Sequence, residues 1–192
     1  MAKLISKLIF FISFILIIFF FINSYFLKNK ELNQVTNQEI KEKDFTNSNI
    51  IKDIKYSSKD LKNNEYLILA KEGEIDLNNQ NVIFLKNVTA FIKLIKKNET
   101  IRIVSNYGKY NTVDYDTIFS KNVVINYLDN KITGDYLDFS MMKNRLIVSR
   151  NVVYKNPENI LEADVIELDT ITKDTKIFMY NSKEKVNIKS LN

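Results

Sequence analysis

The chain has 192 residues and a net charge of +5, enough for one domain plus an appendage. It contains no Cys and no His, which excludes disulfides, thiol nucleophiles, His general bases and nearly every zinc site. Three Gly and one Pro are too few for a Gly-rich phosphate loop, and Lys and Arg are dispersed among Asp, Glu and Asn rather than clustered with aromatic platforms, so a solvated surface is expected and nucleic acid is not.

Leu8 to Ile22 is apolar apart from Ser13, and the run extends to Leu27 across Asn23 and Ser24. Leu8 to Leu27 has the length, about 20 residues, that a helix needs to cross the hydrocarbon core. Lys3 and Lys7 precede it, which predicts a single-pass helix with a cytoplasmic N-terminus, although Lys28 and Lys30 reduce the asymmetry. The rival is a cleaved signal peptide, with an apolar region of about 7–15 residues and an A-x-A-like site. This run is long for that, and Ile22-Asn23-Ser24 is a poor site, so residues 1–27 are expected to remain as an anchor. Residues 28–49 are polar and without periodicity; they read as a linker with at most a marginal helical stretch near Val35 to Lys43.

From Ile50 to the end, residues 50–192, short alternating runs are separated by turn residues. Ile54 to Tyr56 and Glu65 to Ala70 read as strands joined through Asp60 to Asn64. Later punctuation falls at Asn78 to Asn81, Lys96 to Asn98, Asp114 to Asp116, Asp129-Asn130, Met142 to Asn144, Asn156 to Asn159 and Lys173-Asp174. Intervals of about a dozen residues predict an antiparallel all-β domain. The last strands are expected at Lys176 to Tyr180 and Glu184 to Ile188.

Within this domain one pattern is written repeatedly. Ser105 to Tyr110, a turn and Ser120-Lys-Asn-Val-Val124 recur 29 residues later as Gly134 to Phe139, a turn and Ser149-Arg-Asn-Val-Val153. The frame extends backwards onto Ala70, Gly73, Ile75 and Lys86-Asn-Val88, and forwards onto Ala163, Ile166 and Leu168. Such a period marks units that bury their apolar faces by stacking on neighbours. In each unit the first strand reads apolar, skip, small, then apolar at three and five residues beyond the small one: Ile103, Ser105, Gly108, Tyr110, and again Ile132, Gly134, Leu137, Phe139. A step of three flips the buried face of a strand, so a bulge or corner is expected at the small residue. Aligned corners predict a sheet folded over along one line, a stack with an apolar slot and two open edges. The second strands carry Phe84, Val88 and Ala90; Phe119, Val123 and Ile125; Val148, Val152 and Tyr154, with Lys86, Lys121 and Arg150 in the column between.

An N-terminal anchor, a linker and about 140 residues of this repeat resemble the LptC family of lipopolysaccharide-export proteins. The repeat is also similar to that of the soluble bridge protein LptA. The resemblance implies a folded-over antiparallel β-jellyroll, a β-taco, that holds lipid acyl chains and does no chemistry on them. It implies neither a catalytic residue nor a cofactor or metal. It places the anchor in the inner membrane beside LptF- and LptG-like subunits, the domain in the periplasm, and an LptA-like bridge at the C-terminal edge. The family more often has Gly where this chain has Lys86, Lys121 and Arg150.

On that basis the expected groove lining is Phe84, Val88, Ile103, Tyr110, Phe119, Val123, Ile125, Leu137, Phe139, Val148, Val152 and Tyr154. Without the resemblance the same column reads equally as an ordinary closed core. Lys86, Lys121 and Arg150 are either solvated corner residues, the simpler reading, or contacts for lipid phosphate. Ile177, Met179, Val186 and Ile188 are expected on the edge that meets the bridge. The recurrent Asp135, Asp138, Asp164 and Asp169 read as turn and strand-end residues rather than paired acids or calcium ligands. The competing functional class is a membrane-anchored structural or adhesive β-repeat protein without lipid cargo; a glycan-active enzyme is a distant third.

Overall fold

A computed structural model describes residues 50–191 apart from 61, 173 and 182. The expected anchor at 1–27 and linker at 28–49 lie outside the described residues. Among the described residues no helix is long and apolar enough to cross a membrane.

The described region is all-β. Its strands are β1 (Ile50–Lys59), β2 (Glu65–Ile75), β3 (Val82–Leu94), β4 (Glu99–Asn111), β5 (Thr117–Tyr127), β6 (Asn130–Ser140), β7 (Arg145–Lys155), β8 (Asn159–Asp169), β9 (Thr175–Phe178) and β10 (Asn187–Ser190). Each strand from β1 to β8 pairs antiparallel with the next, giving one open meander, and both β9 and β10 pair with β8. Turns fall where Asp, Asn and Gly-poor polar runs occur. Asp60, for example, accepts hydrogen bonds from the backbone N–H groups of Lys62 and Asn64 and closes the first hairpin.

The apolar periodicity changes phase in mid-strand, and that folds the sheet. In β4 the buried positions are Ile103 and Ser105, then Gly108 and Tyr110. In β8 Leu161, Ala163 and Ile166 follow the same step, with Val165 buried beside them. One cluster joins the two halves of every strand from β3 to β8, with Val88, Leu137 and Val148 fully buried at its centre. Burying each such aliphatic side chain contributes about 1.5–3 kcal/mol. Rows running across the strands therefore form two facing walls joined along a fold line.

The backbone device at the fold differs from the expectation. The small residues were expected to carry the bend, yet no glycine has positive φ. The left-handed residues lie in the opposite strands: Asp53 in β1, Asn87 in β3, Lys121 and Asn122 in β5, Arg150 and Asn151 in β7. In β5 and β7 the pair adds one residue relative to both neighbours, a β-bulge. Asn tolerates this conformation better than most non-Gly residues. Among the described residues six of the eleven non-Gly positive-φ residues are Asn, so in a chain with three Gly the abundant Asn serves the turns and the fold line.

The small residues in β2, β4, β6 and β8 answer a different need, which is close approach. A Cβ on Gly134 would lie 2.9 Å from Val148 Cγ1, and one on Gly108 would lie 3.1 Å from Val88 Cγ2. Ala70 and Ser105 both face Val88 in register, Gly134 faces Val123, and Ala163 faces Val152. Small and branched residues thus alternate along the fold. Ser105 is buried there and donates its hydroxyl to the Tyr107 carbonyl at 2.7 Å.

The last strand is split. β10 meets β8 through Asn187↔Glu162 and Ile188↔Leu161, the positions that Val153 and Tyr154 of β7 meet on the other side. β9 meets Val165 through Phe178, as Ser149 of β7 does. β9 and β10 are therefore the two halves of one strand, in which residues 179–185 replace the two-residue Arg150-Asn151 bulge.

Candidate functional site

The inner face of the folded sheet is the candidate site. On one wall, cross-strand pairs link Tyr56, Ile68, Ala90, Ile103, Ile125, Ile132, Tyr154, Leu161 and Ile188 in a single row. On the other, Leu85, Gly108, Phe119, Leu137, Val148, Ile166 and Ile177 form the matching row. No charged residue stands in either row. The rows continue past the buried centre to the edges, where Ile177 is 38% and Ile188 63% exposed.

Away from the fold line the walls meet through aromatic side chains. The Tyr56 and Tyr110 rings lie 5.1 Å apart between centroids, and Tyr66 stacks on Phe139 at 6.1 Å. Beside them is a small hollow lined by Tyr56, Tyr66, Ile68, Ile103, Tyr110, Phe119 and Phe139. Its volume for water-sized spheres is about 30 Å³, room for roughly two waters. The walls are in contact rather than apart.

Polar groups rim this mouth. Tyr66 donates its hydroxyl to Asp60 Oδ2 at 3.0 Å, and burial together with that bond pushes the phenol up to about 12. Burial alone would raise Asp60, but hydrogen bonds from Asn64, Tyr66 and Lys62 outweigh it and hold the carboxyl below its ordinary value. Burial also raises the Tyr110 hydroxyl, with Tyr115, Tyr56 and Asp114 adding to it. At the far rim Tyr127 donates to Glu99, which raises its own phenol.

Of the residues expected in the lining, Val88, Ile103, Tyr110, Phe119, Val123, Ile125, Leu137, Val148 and Val152 are buried in the central cluster, with Phe139 and Tyr154 packed against it. Phe84 is misplaced by the sequence reading. Its neighbours Ile83 and Leu85 face inward and Phe84 faces out, because β3 turns on the single left-handed Asn87 without an added residue. Ile51, Ile83, Ile92 and Leu146, which the reading passed over, belong to the inner rows. The step of three from Leu85 to Val88 was the available signal.

Lys86, Lys121 and Arg150 do not join the interior. They flank the fold on the outer face, where Lys86 pairs in register with Tyr107. Lys121 Nζ lies 5.6 Å above the Tyr107 ring, and Arg150 Cζ lies 5.7 Å above Tyr136. Burial pushes the Tyr136 hydroxyl up to about 12, with Asp138 adding and Arg150 opposing. Asp135 accepts from Asn151 Nδ2 at 2.6 Å, and Asp164 accepts from the Tyr180 backbone N–H at 2.8 Å, so both tie the fold line.

Of the four edge residues, Ile177 and Ile188 lie in β9 and β10, whereas Met179 and Val186 fall in the connection between them and pack against the core. Among the described residues no three acids, His or Cys group as metal ligands do. No known protein family matches the chain, and no curated protein matches it.

Proposed function

We propose that this chain is a lipopolysaccharide-export component of the LptC kind, anchored in the inner membrane with its β domain in the periplasm. In this reading it accepts lipopolysaccharide from LptF- and LptG-like transporter subunits. The acyl chains pass along the inner face of the β-taco to an LptA-like bridge paired at the C-terminal edge. The chain performs no chemistry on the lipid. The observation that carries the reading is the uncharged, apolar inner face that continues to both edge strands, where Ile188 is left 63% exposed. Apolar rows that run off the end of a sheet favour a path continued by a neighbour over a core that closes.

A second reading has its own support. The Tyr56–Tyr110 and Tyr66–Phe139 contacts and the small hollow beside them suit a closed stack, a structural or adhesive β-repeat without cargo. Photo-crosslinking groups at Ile103, Val123 and Val152, tested in the full chain in its membrane, separate the two. Capture of lipopolysaccharide there, but not from Lys143 in the β6–β7 turn, supports the conduit. Equal capture at both sets, or none, leaves the structural reading.

A further inference from the structure

Charge is partitioned by strand type. The strands with small residues at the fold, β2, β4, β6 and β8, carry ten acids and four bases. The strands that alternate with them, β1, β3, β5, β7 and the split β9–β10, carry eleven bases and one acid, Asp53. The three acidic strands, β2, β6 and β8, are each flanked by two basic ones; β4, with Glu99, Arg102 and Lys109, is the exception. Glu65 of β2 shows the result, with Lys59 of β1 at 2.9 Å and Lys93 of β3 at 3.5 Å on its two sides. At the other end Glu162 of β8 accepts from Asn187 of β10 at 2.9 Å and has Lys189 at 3.9 Å.

Both edges of the described sheet, β1 and β9–β10, are of the basic type. We infer that these edges select an incoming antiparallel strand that is acidic on its outer face and small at the fold, and that they reject head-to-tail stacking of two copies of this chain. A second copy would bring basic β1 against basic β9–β10. With the inner rows kept in line it would also set a branched residue, Ile54, where the alternation calls for a small one, and would run β1 parallel to β10, where every internal pairing is antiparallel. Like charges directly opposite destabilise a strand pair, while an acidic strand would set carboxylates beside the edge lysines as Glu65 is set beside Lys59 and Lys93. The partner is therefore a different protein that ends its own sheet in an acidic strand. The inference holds whether or not the interior carries lipid.

The test uses the full chain in detergent and two synthetic peptides. One has the sequence of β8, Asn159–Asp169, and the other has its four acids replaced by Lys. Wild-type protein is expected to bind the acidic peptide at least tenfold more tightly, with a preference that shrinks as salt rises. In the variant Lys55→Glu/Ser57→Glu, both changes lie opposite uncharged Leu residues of β2, so the pairing of β1 is spared. This variant is expected to bind the acidic peptide less tightly than wild type, since its β1 edge has lost a lysine and gained two carboxylates. Adding Lys176→Gln/Lys189→Gln, which takes the charge from the other edge, should abolish the preference. Equal binding of the two peptides overturns the inference, as does a variant that keeps the wild-type preference, or a wild-type chain that stacks head-to-tail in native mass spectrometry. The peptide measurement stands if any variant fails to fold, and neither readout depends on lipid capture.

Discussion

Tyr56 and Tyr110 touch, with ring centroids 5.1 Å apart and planes inclined by 36°. Tyr56 is in β1 and Tyr110 in β4, seven residues beyond Ile103, the β4 residue in the Tyr56 row. On a flat sheet those positions would be roughly 27 Å apart, from strand spacings of about 4.8 Å and a rise of about 3.3 Å per residue. Folding the sheet over supplies the difference, and the aromatic pair reports it.

That contact predicts coupled effects of opposite sign. Tyr110→Ala should lower stability by about 3 kcal/mol, as loss of a buried aromatic does, and Tyr56→Ala should lower it less because its ring is half-buried. If the interior carries acyl chains, both variants should take up a fluorescent fatty acid faster than wild type while losing stability. Thermal melts and stopped-flow fluorescence check the two effects separately.

At the fold line the backbone sets the expected order of substitutions. Asn122 has φ of 54°, a conformation that a β-branched residue adopts only at about 1–2 kcal/mol or more. Asn122→Val should therefore destabilise by at least that much, and Asn122→Gly should be neutral or stabilising. Urea denaturation of the two variants against wild type measures the difference.

Crowding at Gly134 has a built-in control. Gly134→Ala places its Cβ 2.9 Å from Val148 Cγ1 and should cost about 1–3 kcal/mol through overpacking. Val148→Ala alone should also destabilise, by emptying a fully buried site. Together the two should be less harmful than their sum. A double-mutant cycle reads the coupling, and strict additivity would mean the two side chains do not compete for one space.

Two acids should respond to pH in opposite directions. Hydrogen bonds hold Asp60 below its ordinary value, so it stabilises the fold above pH 4 and loses that contribution as pH falls through its folded pKa. Asp60→Asn should melt earlier than wild type at pH 7 and alike at pH 2. Burial raises Asp138, with Asp116 adding to it and Arg145 and Lys143 opposing. Its ionisation thus opposes folding, starting near the ordinary carboxylate value and complete above the folded one. Asp138→Asn should gain stability at pH 7 and gain none at pH 2. Melting curves across that range test both signs.

The strand pattern, the turns and the phase change at Ser105, Gly134 and Ala163 were legible because each depends on local residue type and on side-chain alternation. The inner rows were legible wherever strands share one step. Phe119 to Val123 and Val148 to Val152 are steps of four, each containing a two-residue bulge, and that step carried over to β3 turned Phe84 the wrong way. Whether one or two residues enter the left-handed region is decided by the register with both neighbours, which no single strand encodes. The split final strand was hidden for a related reason. The gap between Phe178 and Asn187 is spanned by pairing to β8, so only the register reveals that the two halves are one strand.

The plain meander makes length an adjustable property. From β1 to the β9–β10 strand there are eight intervals, roughly 38 Å at about 4.8 Å each. Cutting out Lys121 to Ser149 would join Ser120 directly to Arg150, fusing the front of β5 to the back of β7 at the equivalent place in the repeat. The shortened chain would keep its edges and its fold line, and would lose two strands, about 9.6 Å. Duplicating the same 29 residues would lengthen it by as much. If this domain spans a gap between fixed neighbours, the number of repeats is the ruler, and a chain one unit too short should fold normally yet fail to reach.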